Sequence, residues 1–298
     1  LVGCLTAAVS ACVSGGLGPP GRNPRGDPSG NRALAEVRRL VSFSPRDAGT
    51  DGGARAAAHI ASRLRALGLD TRVDEFVDGT PRGEMTFRNV LGRIPGRGRG
   101  SIIIGAHFDT KSGIEGFTGA NDSGSGVGLL IELARILQDS PTGSAGILLA
   151  FFDGEECLRE YGPGDGLHGS RRLARTLVAE GQVEAILGVV ILDMVGDRRL
   201  GLSLPGNSDP ELVEELLKLA GDQGDIALKI GPSMTDDHVP FLDRGIPAVD
   251  LIDFEYGSRP GANDYWHTAE DSLDKLSAES LAAVGRLVIR LVDRLQAP

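Results

Sequence analysis

Four short apolar runs, residues 101–106, 146–152, 185–194 and 246–252, are nearly free of charge and rich in Ile, Val and Leu. Such continuity reads as strands buried on both faces, because a strand with one wet face alternates polar and apolar residues. Stretches of helical spacing separate them, over 126–137, 170–179, 210–220 and 239–243, and a long helix over 278–295 closes the chain. Strand and helix in alternation predict an α/β fold with a mostly parallel central sheet flanked by helices. Two earlier helices are expected at 33–40 and 54–67, the second stopped by Gly68. With 298 residues, no internal repeat and no second boundary, a single domain is expected.

Ahead of that domain the chain changes character. Residues 1–13 carry no charge, and 14–31 are rich in Gly, Pro and Ser. The first stretch predicts part of an export signal. Within it Leu1-Val2-Gly3-Cys4 and Val9-Ser10-Ala11-Cys12 resemble a lipobox, the site where a bacterial lipoprotein is cut and lipidated, with Cys12 the better placed. The expected organisation is a signal or lipobox region at 1–12, a flexible tether at 13–31 and a catalytic domain at 32–298. The protein is expected to be exported, and so periplasmic, extracellular or lipid-anchored at the cell envelope. A net charge of −10 argues against a nucleic-acid partner, and a monomer is expected. Cys157 has no disulfide partner within the domain, and Glu155 and Glu156 beside it would raise its thiol pKa.

In parallel sheets ligands bind beyond the C-terminal ends of the strands. The polar residues of this chain collect there: His107 and Asp109 follow one strand, Asp153, Glu155 and Glu156 the next, and Asp193 ends a third. Taken singly, each carboxylate is more readily a cap or turn former and each His a bonded core residue. The adjacent pair Glu155-Glu156 is harder to dismiss, since two carboxylates aimed at one sheet edge repel unless a cation sits between them. One can bind metal while the other works as general acid and base. Imidazole and carboxylate donors at His107, Asp122, Glu156, Asp193 and His267 suit catalytic zinc.

The same residues lie in ordered blocks. His107-Phe108-Asp109-Thr110-Lys111 is followed by Phe117-Thr118-Gly119-Ala120-Asn121-Asp122-Ser123, then by Phe151-Phe152-Asp153-Gly154-Glu155-Glu156 with Gly169-Ser170-Arg171. Leu192-Asp193-Met194-Val195-Gly196, Asp236-Asp237-His238-Val239-Pro240-Phe241-Leu242 and Trp266-His267-Thr268 complete the series. Together they resemble the zinc aminopeptidase and glutaminyl cyclase superfamily over about two-thirds of the chain, too much for chance. The resemblance implies a zinc exopeptidase-like fold acting on peptide or protein N-termini. It implies Asp122, Glu156 and His267 as ligands of the principal zinc and Glu155 as the general base and acid. In two-zinc aminopeptidases the residues matching His107 and Asp193 hold a second metal that shares Asp122. Cyclases use one zinc and place the residues matching Asp193 and Asp236 as an acidic pair beside Glu155.

Lys111, Phe117, the Phe-Phe-Asp-Gly-Glu-Glu string, Asp236-Asp237-His238 and Trp266-His267 are closer to the animal-type cyclases and their bacterial relatives. The resemblance therefore implies a glutaminyl-peptide cyclotransferase, with a zinc aminopeptidase as the alternative. Trp266 would wall a pocket for a small side chain, and Tyr161 stands where the cyclases carry a second pocket Trp. Asp250 replaces their His, and 254–265 is longer than in them. A third reading, a catalytically inactive binding protein of the cell envelope, is opposed by the complete ligand set. His59 and His168 are expected to be structural, and His238 to orient a neighbouring carboxylate.

Overall fold

The computed structural model describes residues 25–139 and 143–297. The proposed signal and lipobox, with Cys4 and Cys12, lie outside them. An eight-stranded sheet runs in the order β1-β2-β4-β3-β5-β8-β6-β7. At its centre β3 (Ser101–His107), β4 (Gly146–Phe152), β5 (Ile186–Asp193) and β8 (Ala248–Ile252) are parallel, as their apolar runs predict. Alternate residues serve opposite faces. Ile102, Ile104, Leu149, Phe151, Val190 and Leu192 join one core, whereas Ile103, Leu148, Phe152, Val189 and Ile191 join the other. Helices cover both faces, which is why these strands are apolar almost throughout, with the buried Asp250 inside β8 as an exception.

The first face is covered by α1 (Gly30–Val41), α2 (Asp51–Ala66), α3 (Gly124–Gln138), α5 (Pro210–Gln223) and α7 (Ala278–Leu295); the second by α4 (His168–Ala179) and α6 (Val239–Leu242). Gly126 lets α3 lie directly on β5, since a Cβ there would stand 2.1 Å from the Leu192 carbonyl oxygen. Gly126→Ala is accordingly expected to destabilise the fold by about 2 kcal/mol or more, measured as a lower urea midpoint with unchanged slope. An unchanged midpoint would show that the helix can shift freely.

Two differences from the sequence reading have plain causes. The edge hairpin β1 (Asp70–Thr80) and β2 (Gly83–Ile94), which pairs antiparallel with β4, was not expected. In β1 only Phe76 is buried, so charged residues alternate along a ribbon that leaves no apolar run to read. The short strands β6 (Ser203–Leu204) and β7 (Lys229–Ile230) extend the other edge. Residues 25–31, expected within the tether, are attached to the domain. Arg25 pairs with Asp293 and donates to Gln296, the backbone N–H of Ser29 donates to Glu132 at 2.8 Å, and Ser29 caps α1. These contacts bind 25–31 to α3 and α7, a long-range attachment that Gly/Pro/Ser composition does not reveal.

Candidate active site

The chain leaves β3 for β4 on one side and crosses from β4 to β5 on the other, so β3 marks the point where the winding reverses. A crevice forms there beyond the strand ends. His107 ends β3, the Glu155-Glu156 turn follows β4, and Asp193 ends β5. Asp122 comes from the loop before α3, and His267 from the long segment between β8 and α7. Tertiary structure thus brings all five metal-ligand candidates together.

They form two sets that share one residue. Asp122, Glu156 and His267 offer ligand atoms within 4.8 Å of one another, as do His107, Asp122 and Asp193. His267 Nε2 lies 3.0 Å from Glu156 Oε1 and 3.3 Å from Asp122 Oδ2; His107 Nε2 lies 3.3 Å from both Asp122 Oδ1 and Asp193 Oδ1. A single ring N–H points along one direction, yet two oxygens converge on each nitrogen. Convergence of this kind is what ligand atoms around a cation produce, and the donors are those of a zinc site. Charge agrees. Asp122, Glu155, Glu156 and Asp193 are all buried, and two imidazoles with Lys111, 3.5 Å from Glu156, cannot neutralise four carboxylates. The residues therefore fit a divalent ion.

Burial works to raise Asp122, but His107 and His267 hold it below the usual carboxylate range. Burial likewise pushes up Glu156, aided by the charge of Asp122. His267, despite its burial, is raised to about 9 by Asp122 and Glu156. Glu155 is raised well above the carboxylate range by burial; His107 pulls it down, while Asp236, Glu156 and Asp237 push it up. Its Oε1 accepts from the Tyr161 hydroxyl at 2.8 Å, and its Oε2 lies 3.9 Å from His107 Nδ1. Asp193 and Asp236 line the same cleft, close enough for Asp193 to help burial raise Asp236. Behind them Asp250 meets Asp236 acceptor to acceptor, a contact that bonds only when one of the two carries a proton.

The cleft encloses about 200 Å³ and is walled by Trp266, Tyr161, Phe254, Ile252, Met234 and Thr235. Trp266 stacks on His267 with ring centres 3.9 Å apart, so the wall also orients the ligand imidazole. His267 and Met194, each next to a site residue, adopt left-handed φ values of 54° and 51°. Non-glycine residues hold that conformation only where the surroundings fix it.

Three residues that hold the site escaped the sequence reading in that role. Asp109 accepts the backbone N–H groups of Glu155 and Glu156, both at 3.1 Å, and so presents the acidic pair. Asp271 grips the neighbouring loop by accepting from Asn121 N at 2.7 Å and Asp122 N at 3.0 Å, while Tyr256 donates to it. Arg46, fully buried, donates to the carbonyls of Phe108, Thr118 and Gly119 and to the Ser44 hydroxyl. Only Asp109 left a sequence signal, its place two residues beyond His107. Asp109→Ala is expected to strand two buried N–H groups and lower turnover roughly 10- to 100-fold with secondary structure retained. Wild-type turnover in that variant would show that the Glu155-Glu156 turn holds itself.

His238 differs from expectation. It is fully buried, neither ring nitrogen has a hydrogen-bond partner among the described residues, and burial lowers it to about 4, so it orients no carboxylate there. His59 pairs with Glu36, and His168 opens α4 rather than lying in a loop, bonded to Asp78 and stacked on Phe87. Cys157 is buried, with Lys111 Nζ 3.1 Å from its sulfur.

Residues 89–292 match the model of peptidase family M28. The chain belongs to that family. Among its relatives is the glutaminyl-peptide cyclotransferase of Drosophila melanogaster, 29% identical over 275 residues that cover 82% of this chain and 76% of the relative. The crystal structure of an Acidobacteriales bacterium glutaminyl cyclase superposes with a TM-score of 0.84 at 35% identity, covering 96% of this chain and 99% of that one. A Zn-dependent exopeptidase from Parabacteroides distasonis gives a TM-score of 0.78 at 26% identity, covering 91% and 99%. The α/β sheet and the single-domain architecture of this M28 member are therefore those of glutaminyl cyclases and zinc exopeptidases.

Proposed function

We propose that this M28 chain is a zinc-dependent glutaminyl-peptide cyclotransferase, which converts the N-terminal glutamine of peptides to pyroglutamate and releases ammonia. The setting of Glu155 carries the reading: a buried carboxyl with a raised pKa, beside a His/Asp/Glu ligand set, in an aromatic-walled cleft of about 200 Å³. The activity named for the Drosophila melanogaster and Acidobacteriales relatives supports it.

In this mechanism the α-amine nitrogen bonds to the side-chain amide carbon, and the bond from that carbon to its amide nitrogen breaks. Tyr161 occupies Glu155 Oε1, which leaves Oε2 to take the amine proton. The same oxygen then returns the proton to the departing nitrogen, so ammonia leaves with no net change at Glu155. One zinc ion held by Asp122, Glu156 and His267 would supply Lewis-acid polarisation of the amide carbonyl. Burial, with the Asp236, Glu156 and Asp237 carboxyls nearby, holds the Glu155 pKa high enough for it to act as an acid in the second half. Trp266, Phe254 and Tyr161 orient one side chain and exclude water.

The second ligand set, His107, Asp122 and Asp193, favours one other reading, a two-zinc aminopeptidase in which Glu155 activates water against the first peptide bond. The deciding experiment incubates the zinc-loaded chain with a glutamine-initiated and a leucine-initiated peptide and follows both by mass spectrometry. Loss of ammonia from the first with the second intact is the expected result. Release of leucine would overturn it in favour of the aminopeptidase.

A further inference from the structure

Beside the cleft lies a second pocket of about 310 Å³, separated from it by a ridge that both share, Tyr161 and Thr235. It opens where the first turn of α4 meets α6, and its charged lining is Arg171, Arg244 and Asp243. In a chain of net charge −10 this is a local reversal of sign. Each guanidinium is fixed by one backbone carbonyl, Arg171 Nη1 on Gly162 O at 2.5 Å and Arg244 Nη1 on Pro240 O at 2.7 Å. Neither forms an ion pair within 4 Å among the described residues, although Asp243 stands in the same wall. The nearby Arg175 faces Asp78 at 3.7 Å. Burial together with the repulsion of Arg175 and Arg244 depresses Arg171, as expected for cations crowded against one another. Two guanidiniums facing one carboxylate leave a net positive pocket, and the planar fork of Arg suits a carboxylate guest.

Geometry says whose carboxylate. A peptide whose first residue fills the cleft must leave over its rim, and the basic pocket lies across one aromatic ring of that rim. Each extended residue advances the chain about 3.5 Å, so the side chain of the second or third residue reaches that far. We propose that the Arg171–Arg244 pocket is a subsite for an acidic side chain at the second or third position of the substrate, which makes acidic N-terminal sequences the favoured substrate class. This rests on the cyclase reading.

The test uses zinc-loaded wild type and C-terminally amidated peptides, so that the only carboxylate is the one under test: Gln-Glu-, Gln-Ala-Glu-, Gln-Ala-Ala- and Gln-Lys-initiated. One acidic peptide should exceed the neutral one about tenfold in kcat/KM, expressed in KM, with the lysine peptide lowest. That preference should shrink as salt rises. In Arg244→Ala the acidic-to-neutral ratio should fall toward one, and Arg171→Gln should reduce it independently. Equal use of acidic and neutral peptides by wild type, or an unchanged ratio in both variants, overturns the subsite while leaving the cyclase reading intact. If wild type cyclises no glutamine peptide, the cyclase reading fails and the subsite falls with it.

Discussion

Glu155→Gln is expected to cut turnover of a glutamine-initiated peptide by at least about a hundredfold while the protein keeps its fold and its metal. The substitution is close to isosteric. The amide oxygen can still accept from Tyr161, and the backbone N–H stays on Asp109, so the side chain should remain where it is. What it loses is the ability to take a proton from the attacking amine and return it to ammonia. No other carboxyl in the cleft replaces it easily, because Asp193 is already set against His107 at 3.3 Å and Asp236 against Asp250. The measurement is kcat by ammonia release, alongside circular dichroism and zinc content by elemental analysis. A fully active Glu155→Gln protein would remove Glu155 from the mechanism.

His267→Ala and Glu156→Ala should instead lose the metal, and with it all measurable activity. Each removes one of three ligand atoms, and His267→Ala also takes from Asp122 one of the two imidazoles that offset its burial. Zinc per chain after dialysis against a weak chelator is expected to fall from one to near zero in both variants. His107→Ala separates the two readings of the site. Its imidazole belongs only to the second ligand set, so a one-zinc cyclase should keep its zinc in this variant, whereas a two-zinc enzyme should go from two to one. Retention of zinc by His267→Ala at the wild-type ratio would mean that the ion is held elsewhere. Removing the metal from wild type should also lower thermal stability, because a cation bound only by the folded chain stabilises it by mass action.

Strand and helix positions in the central sheet were readable because burial on both faces forces unbroken apolar runs, and β4 and α7 have the boundaries expected from the sequence. The edge strand β1 was not readable, since a strand with wet faces has no such constraint, and β2 is buried over only part of its length. His238 misled for another reason: carboxylates adjoin it in sequence, but the folded chain buries its ring with neither nitrogen hydrogen-bonded among the described residues.

The sequence by itself determined the four parallel central strands, the donors at their ends and the blocks that contain them, because those depend on residue type at short spacing. Only the tertiary structure decided that Asp122 serves two ligand sets at once, that Tyr161 bonds Glu155 as well as walling the cleft, and that a basic pocket lies behind it. It alone revealed the residues that hold the site in place. Arg46 reaches Phe108 across 62 positions and Asp271 reaches Asn121 across 150. Hydrogen bonds over such separations leave no local pattern in a chain; they exist only once the hydrophobic core has brought the segments together.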